Sequence, residues 1–449
     1  MKKNSFTLLK KELLNYSNIQ IFLIISYVIS WISISTSFID IFYVFDRVNN
    51  QINIVNIINF FRQFLNIAIF PILLIIFIIN TKKINFKKEI LFIFAFLYFL
   101  FQIPGLIYTN NSLMNFVYIM SAFNILFIFI IANIYFDKRK YLIFIIILLS
   151  KLILISILNF KTLYIFFFTG DSAQSLYTFF SSSEFFFGKV SPRSTGASRT
   201  FLLIFIISLL LFYKFFEKHR YIQILFYLII ATTVLLFQSR TTIVLLLVFI
   251  ISNFIFERKF SLYNFIKSSF IYIFFPLFLL YSTLLVKVEF SNSVVTGNEI
   301  SNFEKFKLLK DDFQRPVDPN TYSSGRLNDW ISILDKTNKS IFLGYGSQGD
   351  RYLINQSASN GLIYAFSSSG IFGLIFYVCL SLYCLLIICK VKFKSNSNFK
   401  QIYLSSVIVF LILLRSILES SYAVFSVDFI IIYTFMNFII KFNSKGKNV

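Results

Sequence analysis

Long runs of Phe, Ile and Leu alternate along the chain with short clusters of Lys and Arg. Each run comes close to the ~20 residues a helix needs to cross a bilayer. Hydrocarbon offers no partner to a peptide group, so every N–H and C=O in such a run must bond within its own helix. The pattern therefore predicts an all-α, polytopic membrane protein with about 12 transmembrane helices. The expected spans fall near 19–38, 64–80, 90–108, 113–136, 141–158, 200–216, 221–237, 241–256, 268–286, 361–389, 403–417 and 424–440. Two stretches are too polar to continue it, a mixed segment at 159–199 and a large loop at 287–360 that holds the largest share of the acidic residues. They divide the chain into N-terminal spans (1–158), a first loop segment (159–199), central spans (200–286), the large loop (287–360) and C-terminal spans (361–449).

Composition agrees with a lipid environment: 57% of the 449 residues are hydrophobic and 14% charged, where a soluble chain carries about 25% charged residues. The formal charge of +22 would suit nucleic acid if it formed a basic face on a folded domain. Here the cations sit between spans, and alternating the spans across the membrane gathers nearly all of them on the side of the N-terminus. That is the cytoplasmic side by the positive-inside rule, and both termini are expected there. The first apolar run follows a basic start without a small-residue cleavage site and reads as a retained span. No nucleic-acid partner is expected, membrane lipids are, and no paired half-repeat of the transporter kind stands out.

Most polar features have plain readings. Cys379, Cys384 and Cys389 lie in one apolar stretch and read as packing residues. His219, in a Lys-His-Arg cluster, reads as part of a solvated basic patch. No His, Cys and carboxylate grouping has metal-ligand spacing, so no metal and no cofactor are expected. The tract GYGSQGD at 344–350 lacks the Lys-Ser/Thr of a phosphate loop and reads as a tight turn.

The opposite face is the informative one. Arg193, Arg199, Arg240, Arg326 and Arg415 stand at span ends there, against the usual bias. A guanidinium offers a fixed fork of donors and keeps its charge in a low-dielectric cleft, which suits phosphate oxygens. The plain alternative for each is snorkelling to headgroups or pairing with a carboxylate. Arg415 has Glu419 one helical turn on and Asp428 at the next span, so an i, i+4 pair is an equal reading. Asp428 itself reads as a helix-start residue or a buried partner for an arginine.

Several tracts on this face together resemble the O-antigen polymerase and ligase superfamily of bacterial membrane glycosyltransferases. They are PRSTGASR (192–199), QSRTT (238–242), SSGRLNDW (323–330), IFLGYGS (341–347), SASNGLIYAFSSSGIFGL (357–374) and RSILESSYAVFSVDF (415–429). The resemblance implies an active site on the periplasmic face of the inner membrane, with 159–199 and 287–360 as periplasmic loops. It implies an undecaprenyl-pyrophosphate-linked oligosaccharide as substrate, with Arg240 and Arg326 matching the two arginines expected on the pyrophosphate. Encounters with a chain-length regulator and a flippase follow from the same likeness. Asn360 is the expected substrate-binding residue at the loop-to-helix junction. The ligase branch usually carries a histidine before this Asn, and here the residue is Ser359, which favours the polymerase branch. The acceptor proton would then fall to a carboxylate, with Asp329, Asp350 and Glu419 as candidates. A ligase transferring glycan to lipid A core is the alternative within the family, and a lipid-linked oligosaccharide flippase the alternative of another class.

Overall fold

The computed structural model describes residues 16–34, 54–86, 89–108, 112–168, 194–236, 240–257, 326–354, 357–391 and 399–443. Among these residues the regular structure is entirely helical. The helices are α1 (Asn18–Ile34), α2 (Ile54–Asn80), α3 (Ile90–Leu100), α4 (Ser112–Tyr135), α5 (Lys138–Phe168), α6 (Ser194–Leu211) and α7 (Tyr213–Lys218). They continue with α8 (Arg220–Leu236), α9 (Arg240–Glu257), α10 (Arg326–Thr337), α11 (Gly349–Ile354), α12 (Gly361–Lys390), α13 (Phe399–Leu418) and α14 (Val427–Asn443). A short 3-10 turn, Pro104–Tyr108, follows α3.

Five stretches among the described residues are long and apolar enough to cross a membrane: Phe64–Lys83, Ile90–Tyr108, Asn115–Tyr135, Gly361–Lys390 and Phe399–Leu418. Shorter apolar helices occupy the expected spans at Asn18–Trp31, Ser198–Leu211, Arg220–Val234 and Thr241–Ser252. The protein is thus a multi-pass membrane protein, and the expected span at 268–286 lies outside the described residues. So do 169–193 and 287–325, the greater part of the two polar stretches. The described remainder is ordered: α5 runs ten residues past the expected boundary at 158, to Phe168, and the second half of the large loop folds into α10 and α11.

Two helices form the centre. Along α4 every residue from 121 to 132 is buried, and along α14 every residue from 428 to 439. A helix that is apolar all round belongs inside a bundle rather than at its surface. Against α4 pack α1, α2 and α3, and against α14 pack α5 and α13, with α6 on α5 and α13 and α12 on α3 and α13 in the next layer. Tyr27 of α1 ties the layers together, edge-on to Phe129 and Phe144 with its hydroxyl 3.1 Å from Thr434 Oγ1.

Inside α12 the helix breaks at Gly370, where φ is +61° and ψ −161°. Peptide groups freed at membrane depth need partners from the protein, and the glycine tract before α11 supplies them. Tyr345 N donates to Ser367 O and Gly346 N to Ser368 O, while Ile371 N donates to Ile341 O, all at 2.8 Å. A Cβ at 370 would stand 2.3 Å from the Phe342 carbonyl carbon, so only glycine allows this backbone approach. The tract is therefore more than a turn: it is the brace of a broken helix, and it holds the loop onto the bundle.

Candidate functional site

The starts of α6, α9, α10, α12 and α14 and the end of α13 meet at one end of the bundle. The longest reach belongs to Asp428. Its carboxylate is fully buried (0% exposed) in the first turn of α14, a position where an unpaired charge would be very costly. Arg199 Nη1, from the first turns of α6, donates to Oδ1 at 2.9 Å. Arg415 Nη1, from the last turn of α13, donates to Oδ2, and Ser421 Oγ donates to the same oxygen at 2.8 Å. Ser421 holds a left-handed φ of +35° to do so, a conformation a non-glycine residue keeps only when its surroundings enforce it.

The network continues outward. Arg415 Nη2 donates to Glu419 Oε2 at 2.6 Å, one helical turn away. Glu419, 18% exposed, accepts at Oε1 from Thr241 Oγ1 at 3.2 Å. That bond ties α13 to the first turn of α9, and Ser198 Oγ to Thr242 Oγ1 at 2.9 Å ties α6 to α9. Two guanidinium charges and two carboxylate charges therefore close on one another. The i, i+4 pair between Arg415 and Glu419 is present, and so is the buried role for Asp428. Arg199 and Arg415, expected to face phosphate, are engaged with protein carboxylates, although Arg199 Nε is buried without a hydrogen-bond partner.

Arg326 differs from them. It opens α10 and its Nη1 donates to Leu418 O at 3.0 Å, the residue next to Glu419. Among the described residues no carboxylate pairs with it. Arg240 opens α9, one residue before Thr241, and is described by its backbone. Arg193 lies outside the described residues. Hence the two arginines that the sequence tracts single out stand at helix starts beside the closed ion network.

The remaining candidates are held by backbone. Asn360 caps α12: its Oδ1 accepts from Leu362 N at 2.9 Å and Ile363 N at 3.2 Å, and its Nδ2 donates to Ile417 O at 2.9 Å. It thereby clips α12 to the end of α13. Asp350 is buried in α11 and takes Ala358 N at 2.7 Å on one oxygen and Arg351 N at 2.8 Å on the other. Burial pushes its carboxyl upward, and those two N–H groups pull the other way. Asp329 is partly buried in the first turn of α10, three residues after Arg326. Trp330 Nε1 donates to Ala358 O at 2.6 Å, so α10 and α11 converge on the backbone of one residue, Ala358. Tyr98 of α3 reaches Ala423 O at 2.7 Å. Trp330, Thr241 and Ser421 have no chemical signature in sequence. Asp428 had one, an acid inside an apolar run. No group of three or more His, Cys, Asp or Glu with metal-site geometry occurs among the described residues.

Residues 225–378 match the family model described as O-antigen ligase. The matched stretch, about a third of the chain, includes Arg240, Arg326, Asp329, Asp350 and Asn360. It supports the chain's place in the O-antigen polymerase and ligase superfamily, a class of membrane glycosyltransferase-like enzymes that implies lipid-linked oligosaccharide substrates. The match does not separate polymerase from ligase. No curated protein and no solved structure matches the chain.

Proposed function

We propose that this protein is a surface-polysaccharide polymerase that joins undecaprenyl-pyrophosphate-linked repeat units at the periplasmic face of the inner membrane. The observation that carries this reading is the placement of Arg240 and Arg326 at helix starts beside an ion network that is already neutral. A pyrophosphate arriving there meets Arg326, with which no carboxylate pairs among the described residues, and the helix start that carries Arg240. Helix N-termini add partial positive charge in the same direction. In the transfer, the acceptor hydroxyl oxygen bonds to the donor's anomeric carbon while the bond from that carbon to the phosphate oxygen breaks. The leaving pyrophosphate takes the electron pair, and the two arginines stabilise the charge that develops on it. Arg199 and Arg415 act behind them, holding α6, α13 and α14 in place through Asp428. The reaction needs no metal in this reading.

The acceptor proton goes to a carboxylate. Asp350 has both oxygens committed to backbone N–H groups and Glu419 has both engaged by Arg415 and Thr241, so Asp329, one turn from Arg326, is the first candidate and Glu419, adjacent to the carbonyl that Arg326 reaches, the second. The polymerase branch is preferred to the ligase branch because Ser359 stands where the ligase histidine is expected.

The gel pattern of surface glycan in a deletion strain tests the reading. Single repeat units support a polymerase, and complete loss of attached glycan supports a ligase or flippase. Replacement of Arg240 or Arg326 by Ala is expected to stop chain extension with protein abundance unchanged. Full extension in both variants would remove the pyrophosphate role.

A further inference from the structure

The helix α10 is formed by the second half of a polar loop, yet it leaves an apolar stripe uncovered. Leu327, Ile331 and Leu334 are 48%, 58% and 41% exposed. At 100° per residue they fall within one narrow sector of the helix. The two flanks differ: on one, Ile333 and Thr337 are buried against the bundle, and on the other, Asn328 and Asp335 are exposed polar residues.

Both ends of α10 are tied to candidate membrane spans. At its start, Arg326 donates to Leu418 O, the last residue of the candidate span Phe399–Leu418. Past its end, the corner at 341–343 leads into the Gly370 break, where Ile371 N donates to Ile341 O. Phe342 packs on Phe372 with ring centroids 5.9 Å apart, and Phe372 stacks on Phe101 at 5.6 Å. A helix of 12 residues is about 18 Å long. Held at its start to the last residue of one candidate span and, through the corner past its end, to Ile371 inside another, α10 is fastened to the spans at both ends.

A second exposed apolar group follows α10. Phe342, 62% exposed, packs on Phe372, and Phe372 and Ile375 one turn further along α12 are 43% and 52% exposed within a candidate membrane span. The corner past α10 is thus in contact with apolar side chains exposed on a candidate span. An apolar stripe at this depth with polar residues beside it is the pattern of a helix lying in the interface plane.

We infer that α10 and the corner at 341–343 form an interfacial platform whose apolar side chains, Leu327, Ile331, Leu334 and Phe342, insert among the acyl chains of the adjacent leaflet. Lipid contact, rather than the bundle alone, sets the height of α10 and with it the depth of Arg326. This seating does not depend on any particular reaction.

Nitroxide accessibility tests it in the full-length chain, reconstituted in phosphatidylcholine nanodiscs. In a background with Cys379→Ser, Cys384→Ser and Cys389→Ser, spin labels are placed singly through Ile331→Cys, Leu334→Cys, Asn328→Cys and Asp335→Cys. The expected result is a positive depth parameter, with oxygen collisions exceeding those of a water-soluble nickel chelate, at 331 and 334 and a negative one at 328 and 335. Nickel access at 331 and 334 equal to that at 328 and 335 overturns the proposal. So does dipolar broadening between labels at 331, which would mean that a second copy covers the stripe. In the chain with its own cysteines, Phe342→Trp adds emission that dibrominated lipid is expected to quench, and added emission insensitive to brominated lipid also counts against lipid contact.

Discussion

At the Val427 end of α14 one buried carboxylate holds two arginines from two other helices, whereas at the Asn443 end, about 20 Å along the same helix, the cations hold backbone. Lys441 Nζ donates to Phe136 O just past the end of α4, and Lys138 Nζ donates to Phe442 O at 2.8 Å. Each lysine thus caps a neighbouring helix where carbonyls lack intrahelical partners and the helix dipole is negative. Gln20 adds a further bond, from Nε2 to Tyr135 O at 2.6 Å. The lysine end is local and forgiving: a flexible ammonium finds whichever carbonyl is near. The arginine end is a lattice in which every charge has a named partner, and removing one member strands the others. That contrast separates a basic cluster that fastens helix ends from one that builds a rigid floor beside a site.

The largest expected effect comes from breaking the lattice at its hub. Asp428→Ala leaves Arg199 and Arg415 without their shared carboxylate, and losing one partner of a buried ion network costs about 3–5 kcal/mol. Detergent-solubilised protein should show a correspondingly lower unfolding midpoint and a poor monodisperse yield; a midpoint equal to the parent's would mean that the lattice does not hold the helices. Next comes Asn360→Ala, which removes the cap of α12 and its clip to Ile417 O. Caps are worth about 1 kcal/mol, so a moderate drop in midpoint is expected. Glycan transfer per folded molecule should persist, and its loss would instead give Asn360 a direct place on the substrate.

Glu419→Gln sharpens the comparison further, because the amide keeps the shape and the bond from Thr241 while giving up the charge facing Arg415. Its stability cost should be about 1 kcal/mol, the net worth of one hydrogen bond. The diagnostic measurement is chain extension at equal protein abundance, compared with Asp329→Asn. The variant that folds and does not extend marks the proton acceptor. The smallest effect belongs to the other end: Lys441→Met should cost about 0.5 kcal/mol, the scale of one cation at a helix C-terminus, and leave extension unchanged. A loss as large as that of Asp428→Ala would show that the two ends are equally rigid.

Much of this was legible in the chain. The apolar runs specify helices because lipid leaves the backbone no other choice, and the positions of α2, α3, α4, α12 and α13 follow from them. The i, i+4 spacing of Arg415 and Glu419 offered their pair as one of two equal readings, beside an arginine turned to phosphate. The arginines at span ends pointed to one face, and the tracts around Arg240, Arg326 and Asn360 pointed to a family. Less legible was how the charges would be divided. Arg199 and Arg415 are chemically the same as Arg326, and nothing local says which of the three meets a carboxylate.

By itself, then, the sequence determined the membrane environment and the helical class, since each depends on local hydrophobicity and charge. The tertiary structure decided that Asp428 joins residues 229 and 13 positions away, that Gly370 breaks α12 onto the glycine tract, and that the start of α10 is tied to the end of α13 through Arg326 and Leu418 O. These rest on contacts between distant segments, where burial turns one ordinary carboxylate into an obligatory partner and one missing Cβ into room for another backbone.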